Sequence, residues 1–300
     1  MNEFQTGLDL VHTTLRDLHA QGAKLHASTA ALTRLASLAP VAAPAPALAP
    51  EKPVERARSP APGRKPEPAA ARKSEPAALV APGGPASHLA PDGGSKAERI
   101  AAMRTPVLVC VKCPHLVKSR TQVVFGVGSP DAELMFVGEA PGEDEDKEGE
   151  PFVGKAGQLL TKIIETMGFA RSDIYIANVL KCRPDMAPGM PGNRKPRLDE
   201  MQTCLPYLRE QIEIIQPRLI VALGATAMEG LLGTTEAMSR LRGRWHDFQG
   251  IPLMATYHPA YLLRNQSLSE KRKVWEDMLL VLERLGTTIT EKQRNYFLAK

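Results

Sequence analysis

Beyond residue 100, short continuous apolar runs alternate with longer stretches in which apolar positions recur every three or four residues. The continuous runs predict strands at residues 133–137, 174–177, 219–223 and 252–256. The periodic stretches predict helices at residues 157–167, 198–215, 225–232 and 269–285, after a helical lead-in at 96–103. Strands that are apolar throughout and alternate with helices are typical of a parallel sheet covered on both faces. We therefore predict a three-layer α/β/α fold with a central, mostly parallel four-stranded sheet.

Each predicted strand ends in a polar or glycine-containing segment. The residues in these segments are, in chain order, Gly138, Glu139 and Ala140, then Asn178, Gly224 and His258. Right-handed crossovers bring the carboxyl ends of parallel strands to one edge of a sheet, so we expect these residues to line one crevice. Plain structural alternatives stay open, namely an exposed turn acid for Glu139, a turn cap for Asn178 and a loop histidine for His258.

An acidic loop with one embedded aromatic residue follows the first predicted strand. Residues 143–150 are mostly carboxylates, and they lead to Phe152. Phe152 either fills the core or offers its ring face to a planar ligand. Together with the amide of Asn178 and the imidazole of His258, such a ring suits a flat heterocycle such as a nucleobase. The sequence lacks a G-x-G-x-x-G motif, a Walker lysine loop and a serine nucleophile elbow, which argues against dinucleotide, ATP and acyl chemistry.

The first hundred residues have a different pattern. Apolar positions at spacings of three, four and seven predict an amphipathic helix within residues 1–37, which either is a simple tethered helix or docks a protein partner. Alanine and proline dominate from about residue 38 to 94, without any aromatic residue, so we assign residues 38–98 to a disordered Ala/Pro-rich linker. Residues 99–286 then form the folded domain, and residues 287–300 form a C-terminal tail.

Charge adds little to this picture. Residues 1–98 hold 11 basic and 9 acidic residues, which leaves the rest of the chain only +3 of the formal net charge of +5. DNA binding requires a local basic surface rather than a basic total, so the charge permits a nucleic-acid partner without predicting one. Charged residues interrupt the apolar positions of the N-terminal segment, and apolar runs are short throughout. We expect a cytoplasmic monomer without a signal peptide or membrane span.

Four cysteines provide a candidate metal site. They are Cys110 and Cys113, which form a C-x-x-C motif before Pro114, and Cys182 and Cys204. In a reducing compartment an even set of cysteines favours metal binding over disulfides. Four thiolates complete either a zinc tetrahedron or a [4Fe–4S] cubane, and the spacing does not distinguish the two. The plain alternative is a set of buried free cysteines.

Several motifs, taken together and in this order, resemble the family 4 uracil-DNA glycosylases, the iron–sulfur members of the uracil-DNA glycosylase superfamily. These motifs are the C-x-x-C, GEAPGEDED running into PFVGKAGQLL, NVLKCRP from Asn178 to Pro184, and HPAYLLRN from His258 to Asn265. The resemblance spans about residues 109–285 and leaves the first hundred residues outside. It implies that residues 99–286 are a catalytic domain that acts on uracil-containing DNA and initiates base excision repair.

The resemblance also implies residue roles. It implies that a [4Fe–4S] cluster is ligated by Cys110, Cys113, Cys182 and Cys204. It implies that Phe152 stacks on a flipped-out uracil, that Asn178 reads the Watson–Crick edge, and that the backbone of residues 138–140 lines the pocket. His258 would donate a hydrogen bond to the uracil oxygen that gains charge as the N-glycosidic bond breaks. Glu139 would stabilise the positive sugar or orient the attacking water.

Base flipping requires something to fill the gap left in the duplex. Leu262, Leu263 and Arg264 follow the His258 segment, and we expect the leucines to act as a wedge while Arg264 contacts a phosphate. The alternative is that both leucines are buried in the following helix. For the whole protein, two further hypotheses stay open: a protein that binds uracil-containing or single-stranded DNA without turnover, and a zinc-stapled hydrolase of nucleotides.

Overall fold

A computed structural model describes residues 89–90, 93–186 and 192–298. All of these residues lie in one compact unit, Ala78–Lys300. The predicted N-terminal helix, and the linker as far as residue 88, lie outside the described residues. Within the described part of the chain, none of the helices combines the length and apolar character required to cross a bilayer.

The core of the fold is a six-stranded sheet in the order β1-β3-β2-β4-β6-β5. Its strands are β1 (Val127–Gly128), β2 (Leu134–Gly138), β3 (Tyr175–Asn178), β4 (Leu219–Leu223), β5 (Trp245–Phe248) and β6 (Ile251–Thr256). The four predicted strands are β2, β3, β4 and β6, and they pair in parallel as expected. The predicted count of four was too low, because two short antiparallel strands close the edges of the sheet.

The two missed strands lack the pattern that identified the others. β1 has only two residues, and β5 reads Trp-His-Asp-Phe with only its last residue buried. Neither forms a continuous apolar run, because an edge strand has one neighbour and is less covered than a central strand. Hydrogen bonds to β3 and β6, rather than local sequence, define these edges.

Ten helices are described. They are α1 (Lys96–Leu108), α2 (Pro114–Ser119), α3 (Glu143–Glu148), α4 (Lys155–Met167), α5 (Leu198–Ile215), α6 (Ala225–Leu232), α7 (Met238–Leu241), α8 (Pro259–Arg264), α9 (Leu268–Leu285) and α10 (Glu291–Arg294). Helix α10 lies in the segment predicted as a tail. The backbone carbonyl of Gln293 in α10 accepts a 2.6 Å hydrogen bond from the indole N–H of Trp275, which attaches this segment to α9.

Two segments show how local sequence sets the element bounds. Helix α1 begins at Lys96, where the helical lead-in was predicted, so residues 96–98 of the segment assigned to the linker are helical; Ser95 and Glu98 form a reciprocal capping box there. The acidic segment predicted as a loop forms helix α3, which begins at Glu143. Four carboxylates occupy its first turn, where they interact favourably with the positive end of the helix dipole.

The sheet is covered on both faces, which confirms the three-layer prediction. Alternate strand residues, such as Phe136 and Met254, face α4 and α9 on one side. The residues between them, such as Met135 and Leu253, face α5 and α6 on the other. A third apolar cluster packs α1 and α2 around Phe125 and includes two of the cysteines. Because successive side chains along a strand point to opposite faces, the position of each residue in its strand determines which of the two faces it occupies.

Candidate base pocket and cysteine centre

Gly138, the last residue of β2, lies at the carboxyl edge of the sheet and at the centre of the candidate base pocket. It pairs directly with Asn178, the last residue of β3. A Cβ atom on Gly138 would lie 2.4 Å from Asn178 Oδ1 and 2.5 Å from Cζ of Phe152. The absence of a side chain at Gly138 therefore allows the amide and the ring to approach the strand end this closely.

His258 reaches the same pocket from the end of β6. Its ring centroid lies 5.5 Å from that of Phe152, with 31° between the ring planes. Gly224, at the end of β4, lies beneath it, since a Cβ there would be 3.1 Å from the Cβ of His258. The structure thus brings together Gly138, Phe152, Asn178 and His258, which are far apart in the sequence.

Asn178 carries an unpaired acceptor into this pocket. The residue is 2% exposed, and its Oδ1 has no hydrogen-bond partner among the residues that the structure describes. An unsatisfied buried acceptor costs about 1–3 kcal/mol. The same oxygen is the atom nearest to the missing Cβ of Gly138. The pocket is therefore prepared for a ligand that donates a hydrogen bond at this point.

The tautomer of His258 follows from its local structure. His258 caps α8, and its Nδ1 accepts a 3.1 Å hydrogen bond from the backbone N–H of Ala260. A nitrogen that accepts from a backbone N–H carries no proton, so the neutral ring has its hydrogen on Nε2. Burial, and secondly the charge of Arg264, lower the pKa of His258 to about 4. Near neutral pH the side chain is an uncharged donor through Nε2.

Phe152 is held in an unfavourable backbone conformation. Its φ is +56°, in the left-handed region that large side chains rarely adopt, and the residue is buried. Gly157 in the first turns of α4 permits this geometry, because a Cβ there would lie 1.9 Å from the carbonyl carbon and oxygen of Phe152. Strain of this kind persists only where the surroundings determine the conformation, and it occurs mostly at functional sites.

Two charged side chains hold the Phe152 loop from opposite sides. Oε1 of Glu145 accepts hydrogen bonds from the backbone N–H groups of Val153 and Gly154, each at 3.0 Å. Arg171 donates to the backbone carbonyl of Pro151 at 2.6 Å. Neither residue was among the sequence-predicted site residues. The four acidic residues after a glycine were a signal for the short helix that carries Glu145, whereas no local pattern identifies Arg171.

Glu139 and Ala140 lie beside the pocket but point elsewhere. Glu139 follows Gly138 by one residue, so its side chain lies on the other face of the sheet, where Thr226 of α6 donates a hydrogen bond to it. Burial raises the pKa of Glu139, and this hydrogen bond opposes the rise. Ala140 packs against the apolar cluster that includes the cysteines. The alternation of side chains along a strand was the signal that could have placed Glu139 on the opposite face from the rings of Phe152 and His258.

The predicted wedge residues divide into one buried and two exposed side chains. Leu262 is only 5% exposed, which corrects the prediction that it is available for insertion. It lines a groove between α4 and α9. Leu263 lines the same groove but is 38% exposed, and Arg264 is exposed, so both side chains are accessible at the C-terminal end of α8.

The four cysteines converge from separate parts of the chain. Cys110 follows α1, Cys113 caps α2, Cys182 follows β3 and Cys204 lies within α5. Cys182 and Cys204 belong to the third apolar cluster, against which Cys110 and Cys113 pack. The structure thus joins the C-x-x-C motif to the two distant cysteines.

Hydrogen-bond donors surround these sulfurs. Tyr207 donates to Sγ of Cys110 at 3.2 Å, and Arg120 donates to Sγ of Cys182 at 2.9 Å. The backbone N–H of Lys181 donates to the sulfur of Cys204 at 3.2 Å. Burial raises the pKa of the Cys204 thiol to about 12, and the other thiols add to this rise. Donors placed on buried thiols suit thiolates whose negative charge is balanced by a metal group.

In the described part of the chain, His115, Asp185 and Glu200 form a further candidate metal group, whose donor atoms all lie within 4.8 Å of one another. This group forms an ion-pair network. The guanidinium of Arg194 binds Asp185 and Glu200, and Glu200 is fully buried. Nε2 of His115 lies 2.7 Å from Glu200 and 2.8 Å from a guanidinium nitrogen of Arg197. Two arginines already neutralise these carboxylates, so the network joins α2 to the start of α5 without requiring a metal ion.

Comparison with known proteins identifies relatives of the folded domain. A family model described as the uracil DNA glycosylase superfamily matches residues 125–279. A type-4 uracil-DNA glycosylase of Thermotoga maritima is 48% identical over 172 residues, which cover 56% of this chain and 85% of that protein. A type-4 uracil-DNA glycosylase of Sulfurisphaera tokodaii is 42% identical over 205 residues, which cover 65% of this chain and 89% of that protein. A type-5 uracil-DNA glycosylase of Pyrobaculum aerophilum is 31% identical over 186 residues, which cover 51% of this chain and 79% of that protein. All four pocket residues lie within the stretch that the family model matches, whereas Cys110 and Cys113 precede it.

Proposed function

The chain belongs to the uracil DNA glycosylase superfamily, and within it to the type-4 uracil-DNA glycosylases; we propose that it hydrolyses the N-glycosidic bond of a flipped-out uracil in the pocket around Gly138. The product is DNA with an abasic site, with which base excision repair begins. The substrate class is uracil-containing DNA. An enzyme that acts on one base of a duplex must remove that base from the stack before it can reach the glycosidic bond.

The unpaired Oδ1 of Asn178 is the observation that carries this proposal. The N3–H of uracil would donate to this oxygen, and the amide N–H₂ of Asn178 would donate to O4 of uracil. Cytosine presents an acceptor at N3 and a donor at the adjacent exocyclic position, so both contacts would become unfavourable. Mispairing a buried polar group costs about 1–3 kcal/mol, which is enough for selection when the ring of Phe152 stacks on either base.

His258 would stabilise the leaving base. Breaking the bond leaves negative charge on uracil and positive charge on the sugar. The neutral imidazole donates through Nε2, so it can hydrogen-bond the uracil oxygen while Nδ1 stays bound to the backbone of Ala260. Removing one donor of this kind from an enzyme costs about 2.7–4 kcal/mol of transition-state stabilisation.

Glu139 is proposed to act on the sugar or the water rather than on the base. Its side chain lies on the other face of β2 from Phe152 and His258, next to Thr226. A carboxylate there can balance the positive charge on the sugar or accept a proton from the attacking water. Its raised pKa, which burial causes, favours proton acceptance over simple charge pairing.

Leu263 and Arg264 are proposed to contact the DNA around the flipped base. Both are exposed at the end of α8, six residues or fewer from His258 in the chain. An apolar side chain that enters the stack can fill the space of the extruded base, and an arginine beside it can bind a phosphate. Leu262 supports them from below through its packing between α4 and α9.

The four cysteines would hold a [4Fe–4S] cluster, for which the hydrogen-bond donors around the sulfurs are suited. When bound, such a cluster supplies cross-linking of α1, α2 and α5 rather than electron transfer, since hydrolysis requires no redox step. Arg120 and Tyr207 would orient and stabilise the thiolates. The residues of the base pocket perform the reaction.

The direct test is a single-turnover assay with a labelled oligonucleotide that contains one uracil. Treatment with alkali cleaves the strand at an abasic site, so we expect cleavage at uracil and none in matched cytosine and thymine oligonucleotides. A shifted but intact strand would indicate a binding protein without turnover. Asn178→Asp should lose activity on uracil or gain activity on cytosine; unchanged selectivity for uracil would remove Asn178 from the proposed recognition role.

A further inference from the structure

A buried ionic network lies beside the segment that carries His258. Asp277 of α9 has no exposed surface, and its Oδ2 accepts a 2.6 Å hydrogen bond from the hydroxyl of Thr256. Arg242 donates to both carboxylate oxygens, at 3.2 Å through Nε and 2.7 Å through Nη2. The same Nη2 also donates to the backbone carbonyl of Lys273.

Thr256 connects this network to the end of β6. It is the last residue of the strand, two positions before His258. Its carbonyl accepts a 2.9 Å hydrogen bond from the backbone N–H of Gly224, the glycine beneath His258. Movement of Thr256 would therefore displace both the strand end and the floor on which the imidazole rests.

Arg242 reaches the other side of the His258 segment. Its guanidinium carbon lies 5.8 Å from the ring centroid of Tyr257, which stacks on Tyr261 at 4.5 Å. Tyr261 donates its hydroxyl to Glu270 of α9 at 3.0 Å, and its backbone N–H donates to the carbonyl of His258 at 2.8 Å. The residues before and after His258 are thus connected to α9.

We propose that Asp277, acting through Thr256 and Arg242, positions His258 for the glycosylase reaction. The proposal rests on the proposed function, because it concerns the donor to the leaving base. A buried ion pair often adds no stability over apolar packing of the same size, whereas it does restrict geometry to the arrangements that satisfy its hydrogen bonds. Here those arrangements determine where the Nε2 donor points. Small errors in such an orientation lower rates strongly.

The test uses Thr256→Val, which removes the hydroxyl at nearly constant size, and Thr256→Ser, which retains it. We expect Thr256→Val to lower the single-turnover rate constant by about ten- to a hundredfold, with the dissociation constant for uracil DNA nearly unchanged. Thr256→Ser should keep the rate of the unmodified protein. Equal rates for the two variants, or equal losses in rate and binding, would overturn the proposal.

Coupling to His258 distinguishes positioning from general destabilisation. Asp277→Asn and Thr256→Val are each combined with His258→Ala. If Asp277 acts through His258, neither change should lower the residual rate of His258→Ala further. Equal losses in both backgrounds would overturn the proposal. If the Asp277→Asn variant does not fold, the comparison of Thr256→Val with Thr256→Ser still tests the proposal. Inactivity of the unmodified protein would instead contradict the proposed function, so the two failures are distinguishable.

Discussion

The base pocket takes its side chains from the ends of two parallel strands, β3 and β6, and from one loop, whereas the cysteine centre takes its side chains from helix ends, a strand exit and the interior of a helix. In the pocket, Oδ1 of Asn178 is unpaired and the backbone of Phe152 is strained. In the cysteine centre, three of the four sulfurs already receive a hydrogen bond from the protein. These differences are consistent with the proposal that the pocket binds and releases a substrate, whereas the cysteine centre holds a permanently bound group.

The largest expected effect is removal of a cysteine. Cys204→Ser should lose bound iron and the visible absorption of the cluster, and should lower the unfolding temperature, because binding of a structural metal group contributes directly to folding free energy. Iron content, absorption and thermal unfolding check this, with Thr203→Ser on the same helix as the control. Retained iron with unchanged stability would show that the centre is not a permanent part of the fold.

The pocket should respond differently, through rate rather than stability. His258→Ala should lower the single-turnover rate constant about 100- to 1000-fold, because the donor to the leaving base is lost, while iron content and DNA affinity stay close to those of the unmodified protein. His246→Ala, which removes a histidine of β5, is the control and should have little effect. A parallel loss of DNA affinity would mean that His258 acts in docking.

A smaller effect is expected where the protein supports the pocket. Glu145→Ala removes the acceptor of the N–H groups of Val153 and Gly154, so the ring of Phe152 loses its fixed orientation. We expect a fall of about tenfold in the single-turnover rate. Glu148→Ala removes an exposed carboxylate from the same helix and serves as the control. If the two variants lose equal activity, charge rather than loop geometry is responsible.

The smallest effect concerns pH. The neutral form of His258 is the donor, and burial lowers the pKa of His258 to about 4, below the 6.5 of a free imidazole. The neutral fraction therefore stays high as pH falls from 7 to 5 and decreases only as pH approaches 4. We expect single-turnover rates between pH 7 and 5 to differ by roughly twofold or less in a Glu139→Ala background, which removes the other titratable group proposed to act in the reaction, if DNA binding is measured at each pH. A midpoint near 6.5, or faster cleavage on acidification, would contradict the neutral donor.

The central sheet, and the residues that meet at its carboxyl edge, could be predicted from the amino-acid pattern alone. β4 has the predicted limits, β2 and β3 each begin and end one residue later than predicted, and β6 begins one residue earlier. A continuous apolar run is a local property, so the composition of a few residues identifies a central strand. Once the strands are parallel, right-handed crossovers require Asn178 and His258 to lie at one edge, whatever the loops between them do.

Long-range packing in the folded protein determines which side chains enter the pocket and which support it. Leu262 and Leu263 are adjacent and chemically alike, and both line the groove between α4 and α9, yet the first is buried and the second is exposed. Arg171 reaches the Phe152 loop from twenty residues away, and the four cysteines come together only when α1, α2 and α5 pack. These features arise from long-range packing and hydrogen bonds, which leave no periodic signal in the neighbouring sequence because their partners are distant in the chain.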